Sequence, residues 1–378
     1  MTRSGERIGV GLVGHAFMGA VHSQAWRTVG HFFDVPLVPD LAVLCGRDAL
    51  RTRASADKYG WREVETDWRA LVARDDIGIV DVCTPGDSHA DIAIAALEAG
   101  KHVLCEKPLA NSVDEAERMV AAAERAAARG VKAMVAFNYR RVPALALARK
   151  LVADGEIGEV RHVRAVYLQD WLSDAESPMT WRLRKETAGS GALGDLGAHI
   201  VDAAQFVTGG LVTGVSALTE TFVTERPDER GGRDQVTVDD AALFLARFDN
   251  GAVGTFEATR YALGRKNAMR IEVNGSKGSL AFDFESMNEL SVFTDSGPDS
   301  GFRRVLVTEP GHPYLEGWWP PGHLLGYEHT FTHEVADLLS AIGTGVDPHP
   351  SFADGLRVQR VLDAVQTSAG SGSAWTAI

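Results

Sequence analysis

Asp195 and His199 stand four positions apart in GSGALGDLGAHIVD, residues 189–202. On a helix that spacing puts them on one face, which Asp202 shares. A carboxylate one turn from an imidazole shifts its proton affinity, and a histidine so placed can act as a general base near neutral pH. A satisfied surface pair has the same spacing, so both readings stand on these residues alone. The second candidate is Lys107, which ends the apolar run of VLCEKPLA, residues 103–110, between Glu106 and Pro108. The third is the turn GLVGHAFMG, residues 11–19, where Gly14, Ala16 and Gly19 keep the spacing G-x-G-x-x-G with alanine in the middle. With a strand before it and a helix after it, that pattern favours dinucleotide binding over a tight strand–helix turn without a nucleotide. The middle glycine normally lets the pyrophosphate approach the backbone, and alanine adds one methyl group there.

These groups need elements to carry them. The first third of the chain alternates apolar runs with helical stretches. The strands are RIGVGLVG (7–14), LAVLCG (41–46), IGIVDVCT (77–84), HVLCEK (102–107) and KAMVAFN (132–138), and Gly130 ends the long Ala-rich helix before the last of them. Continuous apolar strands spaced by helices predict a parallel sheet covered on both faces. The expectation is an α/β chain with an N-terminal Rossmann domain, a doubly wound parallel sheet over residues 1–138, and a ligand beyond the carboxyl ends of its strands. Lys107 stands at that edge. Further on, EVRHVRAVYLQD (159–170) reads as a long strand, Asp249-Asn250-Gly251 as a hairpin turn, and IEVNGSKGSLAFDF (271–284) as a second hairpin. Residues 139–378 are therefore expected to form an α+β domain with a large, mainly antiparallel sheet. Two late helices, near 328–342 and 352–368, are expected close to the domain junction. A lysine, a histidine and an aspartate from two domains would then converge on a substrate at the cofactor.

Composition narrows the partners. A net charge of −13 with no long basic run argues against nucleic acid. Cys45, Cys83 and Cys105 share no metal-ligand spacing, and an odd count argues against a disulfide framework; they read as small buried residues in a reducing compartment. No H-x-H, C-x-x-C or clustered carboxylates predict a metal site. Arg3, Arg7 and IGVGLVG imitate a signal peptide, but the run is short and glycine-rich. No apolar stretch approaches the ~18 residues of a bilayer span. A cytoplasmic protein without membrane partners is expected. Gly46 and Arg47 occupy the end of the second strand, where an acid often grips the ribose 2′-hydroxyl. Arg47 either accommodates a 2′-phosphate or points into solvent, so NAD and NADP both remain open.

The segment CTPGDSHADIAIAALEAGKHVLCEKPLA (83–110), followed by GALGDLGAHIVD (191–202), resembles the Gfo/Idh/MocA oxidoreductases, named for glucose-fructose oxidoreductase and inositol dehydrogenase. The likeness runs from Ile8 to PSFADGLRVQRVLDAV (350–365). It implies hydride transfer between a ring carbinol carbon of a sugar, anhydrosugar or polyol and nicotinamide C4, with Lys107, Asp195 and His199 as the catalytic set. His199 would take the hydroxyl proton, oriented by Asp195, while Lys107 holds the oxygen. It also implies a cis Lys107–Pro108 bond. The cofactor set becomes Gly14, Ala16, Phe17, Met18, Gly19, Arg47, Thr84, Pro85, His89 and Glu106, with Glu106 also orienting the lysine. His22 and His89, where loops meet helices, read equally as structural. The substrate set becomes Lys107, Tyr139 in FNYRR (137–141), Trp171 in YLQDW (167–171), Trp181, Arg182, Asp195 and His199; core packing or a subunit interface is an equal reading for the aromatic residues. Two further readings come with the family: glycoside cleavage through a transient oxidation by retained NAD, and a sugar-sensing regulator without chemistry. A sensor has no need of all three catalytic groups. The resemblance favours a homodimer or homotetramer.

Overall fold

The apolar runs of the first third become strands β1 (Glu6–Val13), β2 (Leu37–Cys45), β3 (Glu63–Glu65), β4 (Ile79–Val82), β5 (His102–Cys105) and β6 (Ala133–Val135). Between them lie helices α1 (Phe17–Phe32), α2 (Ala49–Tyr59), α3 (Trp68–Val72), α4 (His89–Glu98) and α5 (Val113–Ala127). The computed structural model describes residues 6–295 and 297–378; Arg3 lies outside them. All five pairings are parallel, in the order β3-β2-β1-β4-β5-β6. The order reverses at β1, and such a switch point opens a crevice at the carboxyl ends of the strands. Local chemistry agrees with the elements. Ser112 and Glu115 form a capping box at the start of α5, and Gly60 closes α2 in the left-handed conformation.

This unit runs through Arg141 and takes in Glu316–Trp318 and Leu325–Leu356. Its late helix, Tyr327–Thr344, carries Phe331, Val335, Leu338 and Leu339 on one stripe, packed in the same core as Trp26 and Val29 of α1. Each such side chain contributes about 1.5–3 kcal/mol by leaving water.

The second unit comprises Val142–Leu315, Trp319–Leu324 and Arg357–Ile378. It contains α6 (Pro143–Ala153), β7 (Val160–Leu168), α7 (Lys185–Ala188), α8 (Ala198–Thr208), β8 (Val212–Glu220), β9 (Glu225–Pro227), β10 (Arg233–Gln235), β11 (Ala241–Phe248), β12 (Val253–Thr259), β13 (Ala268–Gly275), β14 (Gly278–Asp283), β15 (Glu289–Thr294), β16 (Arg303–Leu306) and β17 (Thr376–Ala377). Nine strands make one sheet in the order β16-β15-β14-β13-β7-β12-β11-β8-β17. The expected hairpins are β11–β12 and β13–β14. One pairing departs from the antiparallel pattern: β12 runs parallel to β7, which makes the sheet mixed. Burial alternates along β11 and β12, so one face is packed while Leu243 and Leu245 stay exposed on the other. Phe244 and Phe256 stack at 4.6 Å on the packed face. Among the described residues, no helix is long and apolar enough to cross a membrane.

Candidate active site

Register fixes which residues share an edge of the first sheet. Val13 pairs with Cys45 and with Val82, and Val82 pairs with Cys105. Gly14, Gly46, Cys83 and Glu106 each come next in the chain. Gly14 has φ +100°, and a Cβ there would lie 2.6 Å from the Cys83 carbonyl oxygen, so only glycine fits. Ala16 caps α1 from an ordinary extended conformation, φ −74° and ψ −155°, which any residue adopts. Its methyl group therefore strains nothing in the turn, and the first amides of α1 can still serve a pyrophosphate. Phe17 is exposed and its ring lies parallel to that of Tyr327 at 6.3 Å. Tyr139 meets the same Tyr327 at 6.5 Å. Met18 packs partly into the core.

The missing acid at the end of β2 has a steric cause. A Cβ on Gly46 would stand 2.4 Å from the His15 ring, which is held by the Thr52 hydroxyl at Nε2 and the Ser55 hydroxyl at Nδ1, both at 3.2 Å. The nearest acid, Asp48, caps α2 by accepting from the Arg51 amide at 3.0 Å, and that bond holds its carboxyl below the usual range. Arg47 is exposed.

The loop after β4 is tied to the lysine loop. His89 is buried, with Nε2 2.8 Å from the Thr84 carbonyl oxygen and Nδ1 3.0 Å from that of Pro108. Pro85 precedes the short turn Gly86–Ser88, in which the Ser88 hydroxyl donates to Thr84 Oγ1 at 2.8 Å. The Lys107–Pro108 bond is cis. Lys107 is half-buried, and its amide donates to Glu106 Oε2 at 3.0 Å. Glu106 Oε1 lies 3.0 Å from His22 Nε2, while His22 Nδ1 faces both oxygens of Asp81 at 2.9 and 3.0 Å. The Trp26 indole donates to Asp81 at 2.7 Å, and the Cys83 thiol to Asp81 at 3.5 Å. All of His22, Asp81 and Glu106 are buried. Burial acts to lower the proton affinity of His22, but the Asp81 carboxylate, with Cys83, carries it well above its ordinary value. The setting between Asp81 and Glu106 thus favours the protonated ring of His22.

His22, Asp81 and Cys83 also bring three possible metal-ligand atoms within 4.8 Å of one another. No sequence spacing signals that cluster, because α1 and β4 each supply part of it. The hydrogen bonds within it account for its geometry. The three cysteines are buried and free, and burial pushes their thiols up.

In the second unit, Asp195 lies in a π-helical turn, Leu193–Gly197, that leads directly into α8. Wide turns of this kind are frequent at functional sites. The half-buried Asp239 forms the turn by accepting the Gly191 amide at 2.7 Å and the Leu193 amide at 2.8 Å. Gly191 must be glycine, since a Cβ would lie 1.7 Å from the Asp239 carbonyl oxygen. Arg260, 1% exposed, stands 3.8 Å from Asp195 and donates to the Asp239 carbonyl at 3.1 Å. Trp171 covers its guanidinium at 5.5 Å. His199 is buried with the Tyr167 ring 5.9 Å away. The Tyr167 hydroxyl donates to Asn267 Oδ1 at 2.6 Å, and Gln169 donates to the same oxygen at 2.7 Å. Trp181 and Arg182 form a cation–π pair with each other at 4.3 Å, and Trp181 is 37% exposed.

Thus the turn, Thr84, Pro85, His89, Glu106 and Lys107 share one edge of the first unit, and Asp195, His199 and Trp171 share the surroundings of one helix in the second. Arg47 sits at the end of β2, and Trp181 and Arg182 engage each other. Sequence reasoning missed Asp81, Asp239 and Arg260, each supplied from a distant segment, and the packing of His15, a residue of the turn itself, against Gly46.

The N-terminal region, residues 8–137, matches the family model described as an oxidoreductase family with an NAD-binding Rossmann fold. Residues 145–281 match the GFO/IDH/MocA C-terminal domain. A levoglucosan dehydrogenase from Pseudarthrobacter phenanthrenivorans is 42% identical, covering 97% of this chain and 97% of its own. The crystal structure of an oxidoreductase domain protein from Kribbella flavida is 67% identical, with TM-score 0.96 and 99% of each chain covered. A levoglucosan dehydrogenase in complex with NADH and levoglucosan aligns at 42% identity, TM-score 0.95, again over 99% of each chain. With both domain models matched in order and so long a likeness to one enzyme, the chain belongs to the Gfo/Idh/MocA family of NAD-binding oxidoreductases.

Proposed function

We propose that the protein oxidises a ring hydroxyl of a sugar or anhydrosugar with NAD, using Lys107, Asp195 and His199 in one reaction. The observation that carries the reading is the care with which each charged group is supported: Lys107 by Glu106 and the buried His22, Asp195 by the buried Arg260. The turn at Gly14 and the first amides of α1 would hold the dinucleotide. A dinucleotide held there would supply the hydride acceptor for the carbinol carbon. His199 removes the hydroxyl proton at a ring nitrogen, and Asp195 orients the ring and balances the charge it gains. Lys107 donates to the hydroxyl oxygen and stabilises the negative charge that develops there. Trp171 and Trp181 offer flat apolar faces to a sugar ring, and Arg182 offers donors to its hydroxyls. Levoglucosan is the first substrate to try, because the 42% identical relative is named for it. NAD is favoured over NADP because that relative's structure is a complex with NADH. The exposed leucines Leu218, Leu243 and Leu245 on the open sheet face support association of two or four copies, which a solution mass checks.

The test is absorbance of reduced nicotinamide with levoglucosan, glucose, inositols and a few glycosides, each with NAD and with NADP. Reduction of NAD with one sugar supports the reading. Release of an aglycone without net reduction, or silence throughout, contradicts it.

A further inference from the structure

We infer that His22 and Asp81 are positioning residues for Lys107, acting through Glu106. The inference rests on the catalytic reading of Lys107 given above. The path is continuous: Asp81 faces His22 Nδ1, His22 Nε2 faces Glu106 Oε1, and Glu106 Oε2 takes the amide of Lys107. Both carboxylate oxygens of Glu106 are thereby used, one on each side, so its plane is fixed by His22 behind and by the backbone of Lys107 in front.

The position of that amide matters. It is the last backbone donor before Pro108, which has none. Beyond it, the Pro108 carbonyl faces His89. Two histidines therefore reach the lysine loop from behind: His89 acts on the carbonyl of Pro108, and His22, through Glu106, on the amide of Lys107. His22 also stands on α1, the helix that begins at the dinucleotide turn, one turn after Gly19, whose carbonyl accepts the Ser23 hydroxyl at 2.6 Å. The same rigid helix that presents its amides to the cofactor thus fixes the direction in which Lys107 leaves its strand.

A purely structural role would not call for charges here. Apolar groups of the same volume commonly replace a buried ion pair without loss of stability, whereas a hydrogen-bonded chain holds one direction. The Trp26 indole and the Cys83 thiol complete the coordination of Asp81 and hold the far end of the chain still.

The experiment compares wild type with His22→Gln, Lys107→Ala and the double variant. It reads kcat and KM for the fastest sugar of the panel above, NADH affinity by fluorescence, and hydrogen exchange at the Lys107 amide in the NADH-bound enzyme. For His22→Gln the expected result is a kcat reduced about 10- to 100-fold, the usual effect of removing a group that orients a functional residue. KM and NADH affinity stay within about threefold, and the Lys107 amide exchanges faster. In the Lys107→Ala background, His22→Gln changes turnover less than about twofold, since residues acting as a unit are not additive. Unchanged kcat and exchange in His22→Gln would overturn the inference, as would a further full-sized loss in the double variant. Should His22→Gln not fold, Asp81→Asn breaks the next link at the same shape and is read in the same way. Full turnover in Lys107→Ala would sink the catalytic reading instead, while amide exchange in His22→Gln still decides whether His22 positions the loop.

Discussion

Lys107 and Asp195 are both charged groups at the end of an element, but the chain holds them differently. Lys107 leaves a regular strand, and side chains steer it from behind: Glu106, His22 and Asp81 in succession. Asp195 sits in a widened helical turn, and backbone amides are gathered around a half-buried carboxylate, Asp239, to make that turn. A strand end needs only its exit direction set, whereas a π turn must be built before it can present anything. The first arrangement places buried charge beside Lys107 itself, and the second places it in the scaffold. Damage to the first should therefore appear chiefly in turnover, and damage to the second in turnover and stability together.

The largest effect expected on the second region is from His199→Ala, which should lower kcat by about 10²–10⁴-fold, the range for losing a general base. Rates at saturating sugar check it, and a change below tenfold would remove His199 from the chemistry. Arg260→Met sharpens the contrast. It removes the buried cation beside Asp195 and the half-buried Asp239 and should cost about 1–3 kcal/mol of stability as well as activity. Thermal unfolding alongside turnover reads both; loss of turnover with unchanged stability would make the two regions alike.

Gly46→Asp tests the steric account of the missing acid. The new side chain meets the His15 ring, and overpacking of this kind costs about 1–3 kcal/mol. His15→Gly in addition should restore stability and NAD affinity. Failure of that rescue, measured by melting and NADH titration, would show that something other than His15 excludes the acid.

A pH dependence is expected in the first unit as well. Buried His333 accepts the Trp318 indole at Nε2 and faces the Arg141 carbonyl with Nδ1, an arrangement that fits only the neutral ring. Burial lowers its pKa to about 3. In the unfolded chain it titrates near 6.5, so only that state takes up a proton below this pH. The stability His333 contributes is therefore present above about pH 6.5 and is lost progressively as pH falls towards 3. His333→Gln keeps a donor and an acceptor but no titrating group, and its melting temperature should fall less steeply between pH 6.5 and 4. Parallel curves would count against the assignment.

What the sequence made legible follows the same division. The Rossmann strands, the glycine turn and the E-K-P segment are local patterns: an apolar run, a residue needing positive φ, a charge at a strand end. The hairpins at Asp249–Gly251 and at Gly275 were legible for the same reason. The π turn was not, because Asp239 and Arg260, which make it, lie just outside strand ends far along the chain, and D-x-x-x-H reads as an ordinary helix face. The parallel pairing of β7 with β12 was hidden likewise, since hairpin signals report only neighbours in sequence. His22 was visible as a histidine near a helix start, but its carboxylate partners come from β4 and the end of β5. His15 gave no signal, although Gly46, whose side chain it excludes, did.

The most direct test of the central claim measures NADH formation from levoglucosan by wild type and Lys107→Ala, with NADH affinity determined for both. Lys107→Ala is expected to lose about 10²–10³-fold in turnover, the usual cost of removing a donor to a developing oxyanion, with NADH affinity nearly unchanged. Equal turnover in the two proteins would contradict it.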